Sequence, residues 1–467
     1  MSISFERSRS TSAQPVFKRA VLSTLAVGLL GLASSSFAAV SPEEAAKLKT
    51  ELTPMGAEKA ANKDGTIPAW NGGYTKVPAG YKNGDPRADP FAAEKPLYSI
   101  SAKNMDQYAD KLSDGIKALM KKSDTYRIDV YPTHRTAALP AWAYDNTATN
   151  AVNCKTKDAG LSIEGCYGGI PFPIPKTGNE LMWNHLLSWK GEASEMLSEI
   201  WVVPADGKPT MASDIYYPGQ YPYWFKDGSL ATFNGDYWAT MITTYGPPFK
   251  AGESFMFRDT VDMGTKGRQA WQYLVGQRRT RKAPTIGYDT PDSVTSGINY
   301  FDETFVFMGG LDRYDWKLVG KKEMYIPYNT NRTWLHDAAA VLGPKHMNPD
   351  TLRWELHRVW EVEATLASGK RHAIPQRRFY LDEDTYIATL SDSWDAQGQL
   401  WHTSFNLPMV MPDLPGTTFQ AFVVHNLLNN SYVYDNHPGG KKYHFRQVKP
   451  WPASFFTPDN LSAQGTR

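Results

Sequence analysis

The chain has 467 residues, with 50 Lys+Arg against 48 Asp+Glu and a formal net charge of +2. That length supports one large core or two ordinary ones, and so even a balance of charge argues against a nucleic-acid partner. Hydrophobic residues at 41% and charged residues at 21% exclude a disordered chain, while 15 Trp, 25 Tyr and 20 Phe beside 36 Gly and 32 Pro favour short aromatic-rich strands over a helical bundle.

The chain opens with a basic region, Arg7, Arg9, Lys18 and Arg19, ahead of the apolar stretch 20–33 and the small-x-small site Ser36-Phe37-Ala38. The apolar run falls short of the ~20 residues that span a bilayer. Residues 1–38 therefore read as a signal peptide cut after Ala38, rather than as an anchor. Next, Ser41-Pro42-Glu43-Glu44 combines an N-cap, a first-turn proline and a capping-box glutamate. It predicts a short helix ending before Pro54. Residues 53–96, rich in Gly, Pro, Asn and Asp, read as an extended ordered arm. Met105, Tyr108, Leu112, Ile116, Leu119 and Met120 recur at helical spacing, which predicts one amphipathic helix over 102–122.

Cys154 and Cys166 are the two cysteines. In an exported chain they read as one disulfide, the alternative being two free thiols. After the Pro-rich stretch 168–175, Thr177 and Glu180 form a second capping box, opening a helix that carries Trp183, Asn184 and His185. Asn184 and His185 could do acid–base work, or tie the Pro-rich segment to a sheet; we favour the structural role.

From about residue 195 the period changes to two. Expected strands are 196–204, 236–245, 269–281, 315–326, 352–364, 376–382, 385–394, 399–406 and 418–435, with turns at 381–384 and 395–398. In 352–364, Trp354, Leu356, Trp360 and Val362 alternate with Arg353, Glu355, His357, Glu361 and Glu363, the pattern of a strand with one face in water. The layout is then a signal peptide (1–38), a short helix and arm (39–100), a helical and disulfide-loop region (101–190), and an antiparallel sheet (191–467) forming one globular unit with the region before it. The fold class is α+β and β-dominated.

Site chemistry is sparse. The sequence has no serine-hydrolase elbow, phosphate loop, zinc HExxH motif or haem attachment site. No catalytic residue, metal ligand or cofactor is assigned, and a non-catalytic role is favoured over an enzyme. Trp271, Trp316, Trp354 and Trp360 fall on apolar strand faces and are candidate lining for a hydrophobic ligand. Arg278, Arg279 and Arg281, with Lys282, cluster at a strand end. They suit an anionic group or an acidic partner, or else pair with Asp289 and Asp292.

Five stretches are similar to those of one bacterial family. Residues 52–58 (LTPMGAE) with 64–70 (DGTIPAW) resemble the N-terminal signature of the family called domain of unknown function 1329. Residues 168–185, 278–291, 315–329 and 378–384 resemble its central and β-region motifs. The resemblance implies a fold like the lipoprotein carriers LolA and LolB: a strongly curved antiparallel sheet, an unclosed barrel, with helices on its concave side. It also implies a periplasmic location with outer-membrane association, and partners among outer-membrane proteins and resistance-nodulation-division type exporters. No catalytic residues come with it. The function expected is a periplasmic carrier or chaperone for a lipid-like molecule, working with an export system. The alternatives are a hydrolase acting on an envelope glycan or ester, and a docking protein for an outer-membrane partner.

Overall fold

The computed structural model describes residues 39–283, 286–441 and 443–465; the expected signal peptide and its cut after Ala38 lie outside them. Eighteen strands follow in chain order. They are β1 (Tyr98–Ser101), β2 (Arg127–Val130), β3 (Lys155–Lys157), β4 (Ser162–Glu164), β5 (Ala193–Val203), β6 (Thr210–Gln220), β7 (Asp236–Gly246), β8 (Ser254–Thr260) and β9 (Gln269–Leu274). Then come β10 (Arg279–Lys282), β11 (Tyr314–Pro327), β12 (Trp354–Leu366), β13 (Gln376–Asp382), β14 (Ala388–Trp394), β15 (Leu400–Val410), β16 (Thr417–Asn426), β17 (Ser431–His437) and β18 (Phe445–Gln447). The helices are α1 (Pro42–Ala45), α2 (Asp114–Lys122), α3 (Ala141–Asn153), α4 (Gly178–Leu186), α5 (Ala338–Val341) and α6 (Pro458–Gly465).

All strands but β3 and β4 join one sheet in the order β1-β2-β12-β13-β14-β15-β16-β17-β5-β6-β7-β8-β9-β10, and its two ends do not pair. β11 runs antiparallel beside β12, and β18 continues the edge of β5 where β17 leaves it. The pairings are antiparallel except one parallel bridge, Trp354↔Val130, which makes the sheet mixed. The fold is thus β-dominated, as the period-two reading implies, with a large unclosed sheet, as the family resemblance implies.

Several expected boundaries move. The segment 269–281 is a hairpin, β9 and β10, because Arg278 adopts the left-handed conformation (φ 49°) and reverses the chain. The segment 418–435 is likewise two strands, turning at 427–430. β6 escapes the period-two reading because Pro218 argues against an inner strand. It is tolerated since the β6–β7 ladder steps from Tyr216↔Thr243 to Gly219↔Thr240 and asks nothing of residue 218. β8 also falls in none of the expected strands.

The helix expected over 102–122 is two pieces, a 3₁₀ segment Met105–Lys111 and α2. Ser113 breaks it by capping Ile116 N and bonding to Asp392. Close packing keeps the break: a Cβ on Gly115 would sit 2.1 Å from Thr403 Oγ1. The caps at Ser41 and Thr177 form as the sequence indicates. Cys154 and Cys166 are joined, closing the β3–β4 hairpin loop, which stabilises by about 3 kcal/mol in the chain-entropy picture. The arm has no regular structure but is pinned. Arg87 grips Asp413 at 2.7 and 2.9 Å, and Gly56 (φ 106°) passes so close to Pro173 O that no side chain fits.

One continuous apolar core fills the space over the sheet, and a satellite lies on the other side of β7–β9. There Ala239, Met241, Met256 and Tyr273 are covered by Phe456 and Leu461 of the C-terminal segment.

The first half of β12's polar face does not meet water, while Glu361 and Glu363 further along stay partly exposed. Arg353, Glu355 and His357 are buried beneath the chain around 89–94 and 131–136. Arg353 binds Glu355 and Glu94, and His357 lies 3.2 Å from Glu355 and 3.3 Å from Asp382. Charge alternation marks a polar face; it does not distinguish water from a layer of ion pairs.

Candidate functional site: a plugged aromatic hollow

Inward side chains of β6, β7, β8 and β16 build an aromatic hollow: Tyr217, Trp238, Phe257, Phe419 and Phe422. The long connection from β10 to β11 crosses it. Within that connection, residues 299–311 insert Phe301, Phe305, Val306, Phe307, Met308 and Leu311, all buried. Phe305 lies edge-on to Phe419 (5.3 Å) and Phe422 (5.5 Å), and Phe307 to Trp316 (5.1 Å) and Phe379 (5.7 Å). Phe305 and Val306 both have left-handed backbone (φ 55° and 71°). For a β-branched residue that conformation is strained, and such strain gathers at functional elements. We call 299–311 the plug.

Polar ties fix the plug at defined points. His185 of α4 holds Phe307 O at 3.0 Å through Nε2 and accepts Ala388 N–H at Nδ1 (3.1 Å), joining plug to β14. Burial, with the nearby Lys190 charge, pushes His185 down to about 3, so it is neutral, with its proton on Nε2. Asn406 Nδ2 donates to Phe305 O (2.9 Å) and Ala388 O (2.7 Å). Asp302 accepts from Arg377 and His372, both at 2.9 Å; burial opposes its charge, but Arg377 and His372 hold it down to about 2.

Lys190 stands just beyond α4. Its ammonium sits over Phe419 (4.2 Å), Phe305 (4.3 Å), Trp238 (5.7 Å) and Tyr221 (5.9 Å). It has no acidic partner among the described residues, and burial lowers it to about 7.

The space left beside the plug is a cavity of about 40 Å³, walled by Tyr217, Trp238, Phe257, Phe301, Phe305 and Met308 and carrying Asp292, Asp435 and Asn436. That holds one water-sized group, against the roughly 300–1,000 Å³ of a ligand pocket. The aromatic interior is full, and what fills it is a loop rather than a strand or helix. Two larger cavities are more polar: one of about 330 Å³ lies at the plug's far end, lined by Gly309, Gly310 and Leu311 with Arg268, Tyr288 and Asp312, and one of about 300 Å³ lies away from the plug beside Lys122, His346 and His425.

The sequence-level candidates scatter. Trp316 touches the plug and donates from Nε1 to Leu311 O (2.9 Å). Trp354 is buried edge-on to Phe405, and Trp360 lies half-buried beneath Lys321. Trp271 sits on the opposite side of the sheet in the satellite cluster, under Arg258. The four do not line one cleft. Asn184 clamps Phe172 through both its N–H and C=O (2.9 and 2.7 Å), tying down the Pro-rich segment. Arg278, Arg279, Arg281 and Lys282 are exposed on the β9–β10 hairpin, and none has an acidic partner among the described residues. Asp289 instead accepts Ala373 N–H, and Asp292 is in the cavity.

Composition gave no signal for Lys190, Asp292 or Asp435. The plug shows only a four-residue apolar run (305–308, FVFM) before two glycines, with no strand or helix period to say where it packs.

His357, Asp382 and Asp384 lie close enough to share a cation, their ligand atoms within 4.8 Å. The charges there are already matched: Arg135 grips Asp384 at 2.6 and 2.9 Å, and two carboxylates raise His357 to about 9 despite its burial. The cluster is a closed ion-pair network.

The family signature described as Protein of unknown function (DUF1329) matches residues 99–462. The chain belongs to the DUF1329 family. It is 36% identical to an uncharacterized protein of Pseudomonas aeruginosa over 459 residues, covering 96% of this chain and 99% of that one. Among solved structures, a DUF1329 protein from Desulfovibrio piger is 14% identical with a TM-score of 0.40, covering 60% of this chain and 95% of that one. A LolA superfamily protein from Nitrosomonas europaea is 9% identical with a TM-score of 0.36, covering 61% of this chain and 100% of that one. Among the described residues of this DUF1329 member, no helix is long and apolar enough to cross a membrane.

Proposed function

We propose that this DUF1329 protein is a periplasmic carrier or chaperone for a lipid-like molecule, and that the plug is a tethered occupant which gives way to the guest. One observation carries the reading: a loop on strained backbone, rather than a strand or helix, supplies the apolar filling of an aromatic hollow. Six buried apolar side chains stabilise the docked plug by on the order of 10 kcal/mol. Ordering some thirteen residues costs a similar amount, at about 1 kcal/mol or more each. Docking is then close to balance, and a guest gaining about 0.8 kcal/mol per buried CH₂ can compete. Differential affinity for the open state is all that displacement requires.

His185 does not favour the hydrolase reading. Both ring nitrogens are engaged by backbone groups and the ring is neutral far below physiological pH. The exposed cations of the β9–β10 hairpin suit contact with an acidic surface of an envelope partner, such as an outer-membrane protein or an exporter.

The deciding experiment is solvent extraction and mass spectrometry of protein purified from its native envelope, paired with titration by a long-chain fluorescent probe. A recurrent lipid-like species and saturable probe binding support the carrier. No extracted species and no probe uptake at any concentration would sink it.

A further inference from the structure

Two acids stand where a purely apolar guest has no use for them. Asp292 and Asp435 both line the 40 Å³ cavity at the foot of the plug. Asp292 is buried, accepts backbone N–H bonds from Val294 (2.9 Å) and Thr295, and feels the Lys250 ammonium, so it is partly satisfied. The carboxylate of Asp435, 7% exposed, receives no hydrogen bond and meets no cation among the described residues. Burying a carboxyl without a partner is costly, and natural interiors avoid it unless something else completes the group. Burial, and for Asp435 the field of Asp292, raises both carboxyls, while the Val294 and Thr295 N–H groups and the Lys250 charge pull Asp292 back.

The remaining walls are aromatic. Tyr217, Trp238 and Phe257 belong to the sheet and stay beside the acids when the plug leaves, and aromatic faces with carboxylates are the usual recognition chemistry for organic cations. An anionic head group would meet two carboxyls at close range, with Lys190 held against the rings and outside the cavity lining. The unpartnered Asp435 carboxyl calls for a hydrogen-bond donor, which a primary ammonium supplies and a trimethylammonium lacks.

We propose that Asp435 and Asp292 form the head-group subsite for a primary-amine amphiphile, whose apolar chain takes the place of the plug in the aromatic hollow. This inference rests on the carrier reading and narrows it to a class of guest.

The test is calorimetric titration of the full chain with dodecylamine, dodecyltrimethylammonium, dodecanoate and dodecanol, each below its critical micelle concentration. Dodecylammonium should bind at least tenfold tighter than dodecanol and than the quaternary amine. Asp435→Asn should abolish that preference and leave dodecanol binding unchanged, with its melting temperature confirming the fold. Asp292→Asn should reduce the preference, giving an independent check. Equal binding of amine and alcohol, tightest binding of dodecanoate, or a preference untouched in both variants overturns the subsite and leaves the carrier standing. Binding of none of the four overturns both.

Discussion

Replacing Phe305 by alanine separates a plug from an ordinary piece of core. Phe305 is 4% exposed and packs on Phe419, Phe422, Trp238 and the Lys190 ammonium. Truncating a buried Phe costs about 3–5 kcal/mol. If 299–311 is merely core, that cost appears as lost global stability and nothing else. If it is a displaceable occupant, the cost falls on the docked state, and the apparent affinity for a chain-like guest rises as the open state gains population. A shift of about 3 kcal/mol corresponds to a gain on the order of 100-fold, until the open state dominates. Urea denaturation and fluorescent-probe titration read the two quantities on one preparation. The control is Leu390→Ala in β14, a fully buried residue that is not part of the plug, with an expected cost of about 2–5 kcal/mol and no gain in probe affinity. Equal probe affinity in wild type, Phe305→Ala and Leu390→Ala, with stability falling in both variants, would refute the plug.

His185→Gln should lower stability by about 1–3 kcal/mol at pH 7, since two buried backbone groups lose a partner. Because His185 titrates in the fold at about 3, below its unfolded value, its contribution is complete above the unfolded value and drains away as pH falls. The variant should therefore lose up to about 1.4 kcal/mol per pH unit of the wild-type acid slope below about pH 6.5; denaturation at pH 7, 5.5 and 4.5 checks this, and parallel slopes would contradict it. Gly115→Ala places a Cβ 2.1 Å from Thr403 Oγ1 and 2.3 Å from Asp392 Oδ1; a loss of about 1–3 kcal/mol is expected, and an unchanged urea midpoint would remove the close-packing account of the helix break. Arg135→Met leaves Asp384 buried without its bidentate partner and should cost about 3–5 kcal/mol, measured by thermal unfolding; a neutral result would mean that the network is hydrated.

The sequence by itself determined the elements whose causes are local. Ser41 and Thr177 cap because a hydroxyl three residues before a backbone N–H needs no distant help. The strands of 376–382 and 399–406 show in alternation alone, and the disulfide follows from two nearby cysteines in a chain read as exported. Family membership was also legible, in motifs such as residues 168–185. Tertiary structure decided everything that depends on what lies opposite. β12 shows a polar face in sequence, yet only the chain folded over it reveals that Arg353, Glu355 and His357 face each other rather than water. Trp271 and Trp316 look alike on their strands, but β9 and β11 point them to opposite sides of the sheet. The loop 299–311 has neither period two nor period 3.6, so no pattern announces that its rings fill the hollow. Asp292 and Asp435, 143 positions apart, share a cavity only because β17 pairs with β5 and the plug's approach runs beside it; long-range pairing of this kind is a property of the assembled sheet and leaves no mark on either neighbourhood of the chain.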